Sequence, residues 1–186
     1  MRERGRVEGS LVKVDDFLNH QVDPVLLDLV GAEIAARWES ERVDLVMTAE
    51  ASGIPPALTA ARHLGTPMLY AKKFPRTTAE RPAFMREVTS PTKGTEYRVE
   101  VASRLLPPGR RVLVVDDFLS GGRTAEALGE IVEEAGCVVV GFAFVIEKSF
   151  MEGHDRLAAR GWRIDSLVRV TSLAGGLTIA TDPGIP

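Results

Sequence analysis

RRVLVVDDFLSGGRTAEALGEIVEEAG, residues Arg110 to Gly136, is the stretch whose reading decides the fold. Val112 to Val115 is a largely β-branched apolar run of the kind buried on both faces of a parallel sheet. Two carboxylates, Asp116 and Asp117, follow where that strand is expected to end, the place at which open α/β sheets hold their ligands. Ser120-Gly121-Gly122-Arg123-Thr124 then supplies small and hydroxylated residues whose backbone N–H groups can approach an anion closely, and a helix starts there. Ala127, Leu128, Ile131, Val132 and Ala135 fall on one helical face, Glu126, Glu130, Glu133 and Glu134 fall elsewhere, and Gly136 supplies the stop. Strand, acid pair, phosphate nest and helix follow without a gap. The same order also serves an acid pair that binds Mg²⁺ in a signalling receiver, and a glycine pair can do no more than close a turn. No Gly-Lys-Ser/Thr follows, so this is not a Walker loop, and it is not GxGxxG.

Working outward, the chain alternates strands with helices. Asp23 and Pro24 are good N-cap and first-turn residues for a helix that carries Leu27, Val30, Ile34 and Trp38 on one face. Val43 to Thr48 reads as a strand, followed by Glu50-Ala51-Ser52-Gly53 and a helix starting around Pro55 and Pro56. That turn either exposes amides to an anion or is simply tight. Met68 to Ala71 is the third strand, with Lys72 and Lys73 at its end; a lysine pair there is ordinarily a solvated edge. Residues 74–95 are rich in Pro, Thr and Ser without long apolar periodicity; a stretch of that length between strands is uncommon unless it is a lid or disordered, and we read it as a lid. Tyr97 to Ala102, Val138 to Ile146 and Arg163 to Val170 are further strands, with a short helix about Leu157 to Ala159. The pattern predicts one α/β domain over residues 1–186, a central, mostly parallel sheet flanked by helices.

Composition narrows the function classes. The chain has 186 residues, 45% hydrophobic and 26% charged, which suits one domain with a sizeable core. A net charge of −3 with scattered basic residues gives no nucleic-acid footprint. One cysteine, Cys137, opens an apolar strand, so no disulfide framework or thiolate metal site is expected, and a reducing cytoplasm fits. No apolar run approaches the ~18 residues of a membrane span, and the N-terminus lacks a signal-peptide core. His20, His63 and His154 are too dispersed to suggest a metal cluster.

Three strings carry a resemblance. VVDDFLSGGRTA is similar to the 5-phosphoribosyl-1-pyrophosphate (PRPP) motif of type I phosphoribosyltransferases, and LVKVDDFLNHQVDP (residues 11–24) and VIEKSF (residues 145–150) resemble the hood and base-site strings of the bacterial xanthine-specific members. The resemblance covers about Leu11 to Leu173. It implies that Ser120, Gly121, Gly122, Arg123 and Thr124 hold the 5′-phosphate, that Asp116 and Asp117 hold the ribose hydroxyls, and that Glu50, Ala51, Ser52, Gly53 and Lys73 lie at the pyrophosphate. Ala51 stands where the family usually has serine, at the cost of a hydroxyl contact. On the base, the resemblance places Asn19, a backbone group of Val12 and the ammonium of Lys148, which suits the oxygen at C6 and rejects the amino group of adenine. Phe118 either lies on the purine face or packs into the core. It further implies a hood over about 11–24, a lid over about 74–95, Mg²⁺ bound through PRPP with no direct protein shell, and a homodimer.

The implied reaction is attack by N9 of xanthine on C1 of PRPP, giving xanthosine 5′-monophosphate and pyrophosphate. Hypoxanthine-guanine relatives carry an aspartate where this chain has Ser120, and serine is no general base at neutral pH. Xanthine, the most acidic common oxopurine, needs less help because it can arrive ionised. The rivals are a guanine or hypoxanthine transferase, a catalytically silent PRPP- or purine-sensing regulator, and a phosphate-binding structural subunit. The ~10 residues before the hood are too few for a helix-turn-helix.

Overall fold

In the computed structural model, residues 4–9, 11–74, 82–89 and 96–180 are described. Two short strands, β1 (Arg6–Glu8) and β2 (Leu11–Lys13), pair antiparallel and lead into a π-helical turn at Asp15–Asn19. Helix α1 (Pro24–Arg37) starts where the Asp23 side chain accepts from the Leu26 N–H at 3.2 Å. Then come β3 (Leu45–Ala49), α2 (Ile54–Leu64), β4 (Met68–Phe74), β5 (Ala83–Thr89), β6 (Glu96–Ala102), β7 (Arg111–Leu119), α3 (Arg123–Glu134), β8 (Val138–Lys148), α4 (Gly153–Ala158), β9 (Ile164–Ser172) and β10 (Thr178–Ile179). Among the described residues no helix is long and apolar enough to cross a membrane.

The main sheet has the order β10-β9-β8-β7-β3-β4-β6-β5. Its five inner strands, β9 to β4, are parallel, and β10, β6 and β5 are added antiparallel at the edges. Residues alternate across β7 so that both faces are buried: Val112 and Val114 pack with Leu128, Ile131, Phe142 and Trp162 beneath α3, while Leu113 and Val115 pack with Ile34, Trp38, Ala57 and Ala60 beneath α1 and α2. A third cluster, Val12, Val14, Phe17, Leu18 and Leu27 against Val145, Ile146 and Val170, seats the N-terminal hood on the ends of β8 and β9. Each such side chain contributes ~1.5–3 kcal/mol through removal from water.

Three expectations are corrected. The strand of the central motif runs to Leu119, so Asp116 and Asp117 lie within β7, Asp116 opposite Phe144 of β8, rather than beyond its end. Strand β4 runs to Phe74, and Lys72 and Lys73 pair with Glu100 and Val99 of β6. The irregular segment expected over 74–95 contains β5, paired with β6 along its whole length. Arg86 explains that strand in part: its guanidinium binds Glu130 at 2.9 Å and Glu134 on α3, an anchor that a count of Pro, Thr and Ser does not register. The remainder of the lid expectation, at 75–81 and 90–95, lies outside the described residues.

Candidate active site

A crevice opens at the C-terminal ends of β7 and β8, where a central parallel strand meets the helix that follows it. It contains a cavity of ≈ 320 Å³ lined by Asp116, Phe118, the whole turn Ser120 to Thr124, and Val88, Thr89, Tyr97 and Met151. The turn is held from behind. Gly122 has φ 74 and precedes the first residue of α3, and the Nε of Arg156 donates to the Gly121 carbonyl at 2.8 Å. That bond takes up an oxygen that would otherwise repel an anion. Arg156 is in turn fixed by Glu126 at 3.2 Å and Glu152 at 3.0 Å. A Cβ on Gly153 would come within 2.2 Å of the Ser120 carbonyl oxygen, so the start of α4 can lie under the turn only with glycine there.

The two acids have different hydrogen-bond partners. The buried Asp117 accepts from Asn19 Nδ2 at 3.1 Å and from Ser52 Oγ at 3.1 Å, one bond on each carboxylate oxygen. Because a carboxylate only accepts, Asn19 must present its amide nitrogen, and its Oδ1 is left as an acceptor for a ligand. Asp116 borders the Gly-rich turn and accepts the Asp117 N–H at 2.9 Å. Loss of water around it, and then the charge of Asp117, hold the Asp116 carboxyl well above the usual carboxylate range; Lys73 acts weakly the other way.

The turn from Glu50 to Gly53 sits beside the acids rather than around the cavity. Gly53 is buried, and a Cβ there would lie 2.3 Å from Asp116 Oδ1. Glu50 Oε1 accepts the Lys73 N–H at 2.6 Å, which ties the end of β3 to β4, and Ala51 is exposed. The Lys73 ammonium stands 5.4 Å from the centre of the Tyr97 ring, whose hydroxyl is 2.6 Å from Thr124 Oγ1. At the other side, Lys148 ends β8 with its ammonium 5.8 Å from the Phe118 ring centre, and burial lowers its pKa from that of a free lysine. Beside it the buried Glu147 accepts from Ser166 Oγ at 2.7 Å, with His154 Nδ1 at 3.2 Å and Arg169 Nη2 at 3.5 Å from its other oxygen. Val12 is paired with Val7 and its side chain is buried in the hood, which leaves only its backbone for a ligand. Phe118 is half-buried, in contact both with the cavity and with the hood cluster.

Sequence reasoning did not reach Tyr97, Arg156, Val88, Thr89 or Met151. Tyr97 had a signal: with Val99 and Val101 it forms an alternating row on β6, and it closes that row at the crevice. Arg156 had none, being one arginine on a short helix.

The phosphoribosyl transferase domain model matches residues 26–166. The xanthine phosphoribosyltransferase of Pseudomonas fluorescens (strain SBW25) is 44% identical over 95% of this chain and 94% of its own length. That of an Exiguobacterium species is 44% identical over 93% of this chain and 90% of its own. Among solved structures, the adenine phosphoribosyltransferase of Rhodothermus marinus matches with a TM-score of 0.75 and 26% identity, covering 91% of this chain and 96% of its own.

Proposed function

The chain belongs to the phosphoribosyl transferase domain family, and we infer that it transfers the 5-phosphoribosyl group of PRPP to N9 of xanthine, giving xanthosine 5′-monophosphate and pyrophosphate in purine salvage. The observation that carries this reading is the shared position of the acid pair. Asp117 is held by Asn19 of the hood and Ser52 of the β3–α2 turn, while Asp116 borders the Gly-rich turn. Base, sugar and both phosphate groups of PRPP can therefore be served within one crevice.

The amides and hydroxyls of Ser120 to Thr124, with Arg123, receive the 5′-phosphate at the start of α3. Asp116 and Asp117 orient the ribose hydroxyls and offset positive charge on the sugar as the bond at C1 loosens. Ser52, Gly53 and Lys73 face the pyrophosphate, Ala51 offers only its backbone, and Glu50 serves indirectly by fixing Lys73. Mg²⁺ would arrive bound to PRPP, with the acid pair beside it adding negative charge rather than forming its shell. Such a cation supplies charge neutralisation and a template for the hydroxyls and pyrophosphate. Among the described residues no group of three His, Cys, Asp or Glu side chains stands ready as a shell of its own.

On the base, Lys148 donates to the oxygen at C6, Asn19 Oδ1 accepts a purine N–H, the backbone of Val12 adds a contact, and Phe118 lies along the ring. Adenine would set an amino donor against the Lys148 donor and leave both unpaired. Ser120 supplies no base, so xanthine enters ionised; its rate should climb from about pH 6 to 9, and a flat profile would remove this step. Two copies of the chain form the working unit, which sedimentation would reveal as a dimer.

Pyrophosphate release from PRPP and Mg²⁺ with xanthine, guanine, hypoxanthine and adenine offered separately tests the assignment. Xanthine should lead by about tenfold or more, ~1.4 kcal/mol of discrimination. A lead by guanine or hypoxanthine would sink the base-site assignment, and no turnover with any base would move the sensing reading to the front.

A further inference from the structure

Tyr97 sits on β6 opposite Val88 of β5, outside every string that the function explains, yet it lines the crevice. Its hydroxyl lies 2.6 Å from Thr124 Oγ1, in the second residue of α3, and its ring lies 5.4 Å from the Lys73 ammonium. We propose that Tyr97 is a positioning residue for PRPP, which turns the Thr124 hydroxyl proton toward the 5′-phosphate and holds Lys73 on the pyrophosphate side with the face of its ring. This rests on the reading of the crevice as a PRPP site.

The chemistry follows from proton counting. A threonine hydroxyl has one proton; once that proton is given to a phosphate oxygen, Thr124 can only accept from its neighbour, and Tyr97 must be the donor. A chain of tyrosine O–H, threonine O–H and phosphate oxygen is polarised in one direction, which strengthens the last bond. Tyr97 needs no contact with the ligand to do this. The ring adds a second hold, since a cation over a tyrosine face is attracted to it. One side chain thus sets the geometry of two subsites that reach it from different strands and turns.

Calorimetric titration of Mg²⁺ and PRPP into the wild-type chain and into Tyr97→Phe, Thr124→Val and the double variant tests the proposal. Tyr97→Phe keeps the ring and should weaken PRPP binding about fivefold, the size of one net hydrogen bond. Thr124→Val should cost at least as much, and the double variant no more than Thr124→Val alone. Tyr97→Leu should lose about threefold more than Tyr97→Phe, because it also releases Lys73. Affinity for xanthine should be the same in all of them. A purely structural tyrosine would lower the melting temperature with PRPP affinity unchanged. Equal affinity of wild type and Tyr97→Phe, or losses that multiply in the double variant, overturns the Thr124 relay; equality of Tyr97→Leu and Tyr97→Phe overturns the Lys73 half. Pyrophosphate release by the wild type with xanthine separates the two readings. PRPP binding without turnover would sink the enzyme and leave Tyr97 in place, and no PRPP binding would sink both.

Discussion

The proposed phosphate end of the crevice is written in one uninterrupted string, Asp116 to Thr124, and is braced from behind by Arg156 and Gly153. The proposed base end is gathered from distant parts of the chain: Val12 and Asn19 from the hood, Phe118 from β7 and Lys148 from the end of β8. Backbone groups do most of the holding at the first, side-chain tips at the second. A site made of main chain tolerates little movement of its support, whereas a site made of tips can change one contact at a time. Asp117 belongs to both ends, since Asn19 and Ser52 share its two oxygens.

The largest effect is expected where the ends meet. Asp117→Asn should lower turnover about a hundredfold or more, with the chain still folded by circular dichroism, because the charge that faces the developing cation at C1 is gone. Near-normal turnover would take the acid out of the reaction and leave it a brace.

Gly153→Ala attacks the phosphate end alone. The new methyl would lie 2.2 Å from the Ser120 carbonyl oxygen and 2.7 Å from Leu119 Cδ1, both part of the turn or its strand. PRPP affinity should fall about thirtyfold, ~2 kcal/mol, and the melting temperature should drop with it. Unchanged affinity would show that the turn can shift freely, against a main-chain site.

Lys148→Met tests the other end. KM for xanthine should rise about tenfold while PRPP affinity holds, the loss of one charged donor to a carbonyl. If both substrates suffered equally, the two ends would not be separable.

The smallest effect is one of stability and has the opposite sign. Burial and Asp117 raise the Asp116 pKa in the fold, so the folded state favours the protonated form. Its contribution is present at low pH and is lost as pH rises from about 4 through the raised value. Asp116→Asn cannot ionise and should be more stable than wild type at pH 8, on the order of 1 kcal/mol or ~3 °C, the difference closing toward pH 4 while turnover is lost throughout. Equal melting temperatures at pH 8 would deny that the pair stores repulsion for its ligand.

The same contrast explains what could be read from the sequence. The strand, turn and helix of the central motif were legible because each residue type, apolar strand, acids, small residues and amphipathic helix, has its own local reason, and those reasons agree along 25 or so neighbouring positions. The doubly buried β7 and the capped α1 follow from alternation and from Asp23 with Pro24. The base end was not derivable that way. Asn19 reads as a loop residue and Lys148 as a solvated strand end, and only the resemblance of their strings singles them out as base contacts. Strand β5 was missed because Pro and Thr dominate its flanks, while what holds it, Arg86 on two glutamates of α3, is a long-range contact with no local mark. The placement of the acids inside β7 was missed for a related reason. Two carboxylates end a strand on propensity, but eight of the nine positions of β7 find partners on β8, and the ladder carries them along.

The bond from Asn19 to Asp117 sets how readily this chain could be re-tuned to another purine. In the proposed base site Lys148 is modular, a residue that a designer could exchange to favour a different group at C6 and expect the sugar chemistry to continue. Asn19 is not. Any replacement that alters its acceptor toward the base also withdraws or reverses its donor to Asp117, so a gain in discrimination at that position is coupled to a loss in rate. Changes of base preference should therefore accumulate first at the end of β8, with the hood following only when a second substitution supplies Asp117 with a new donor.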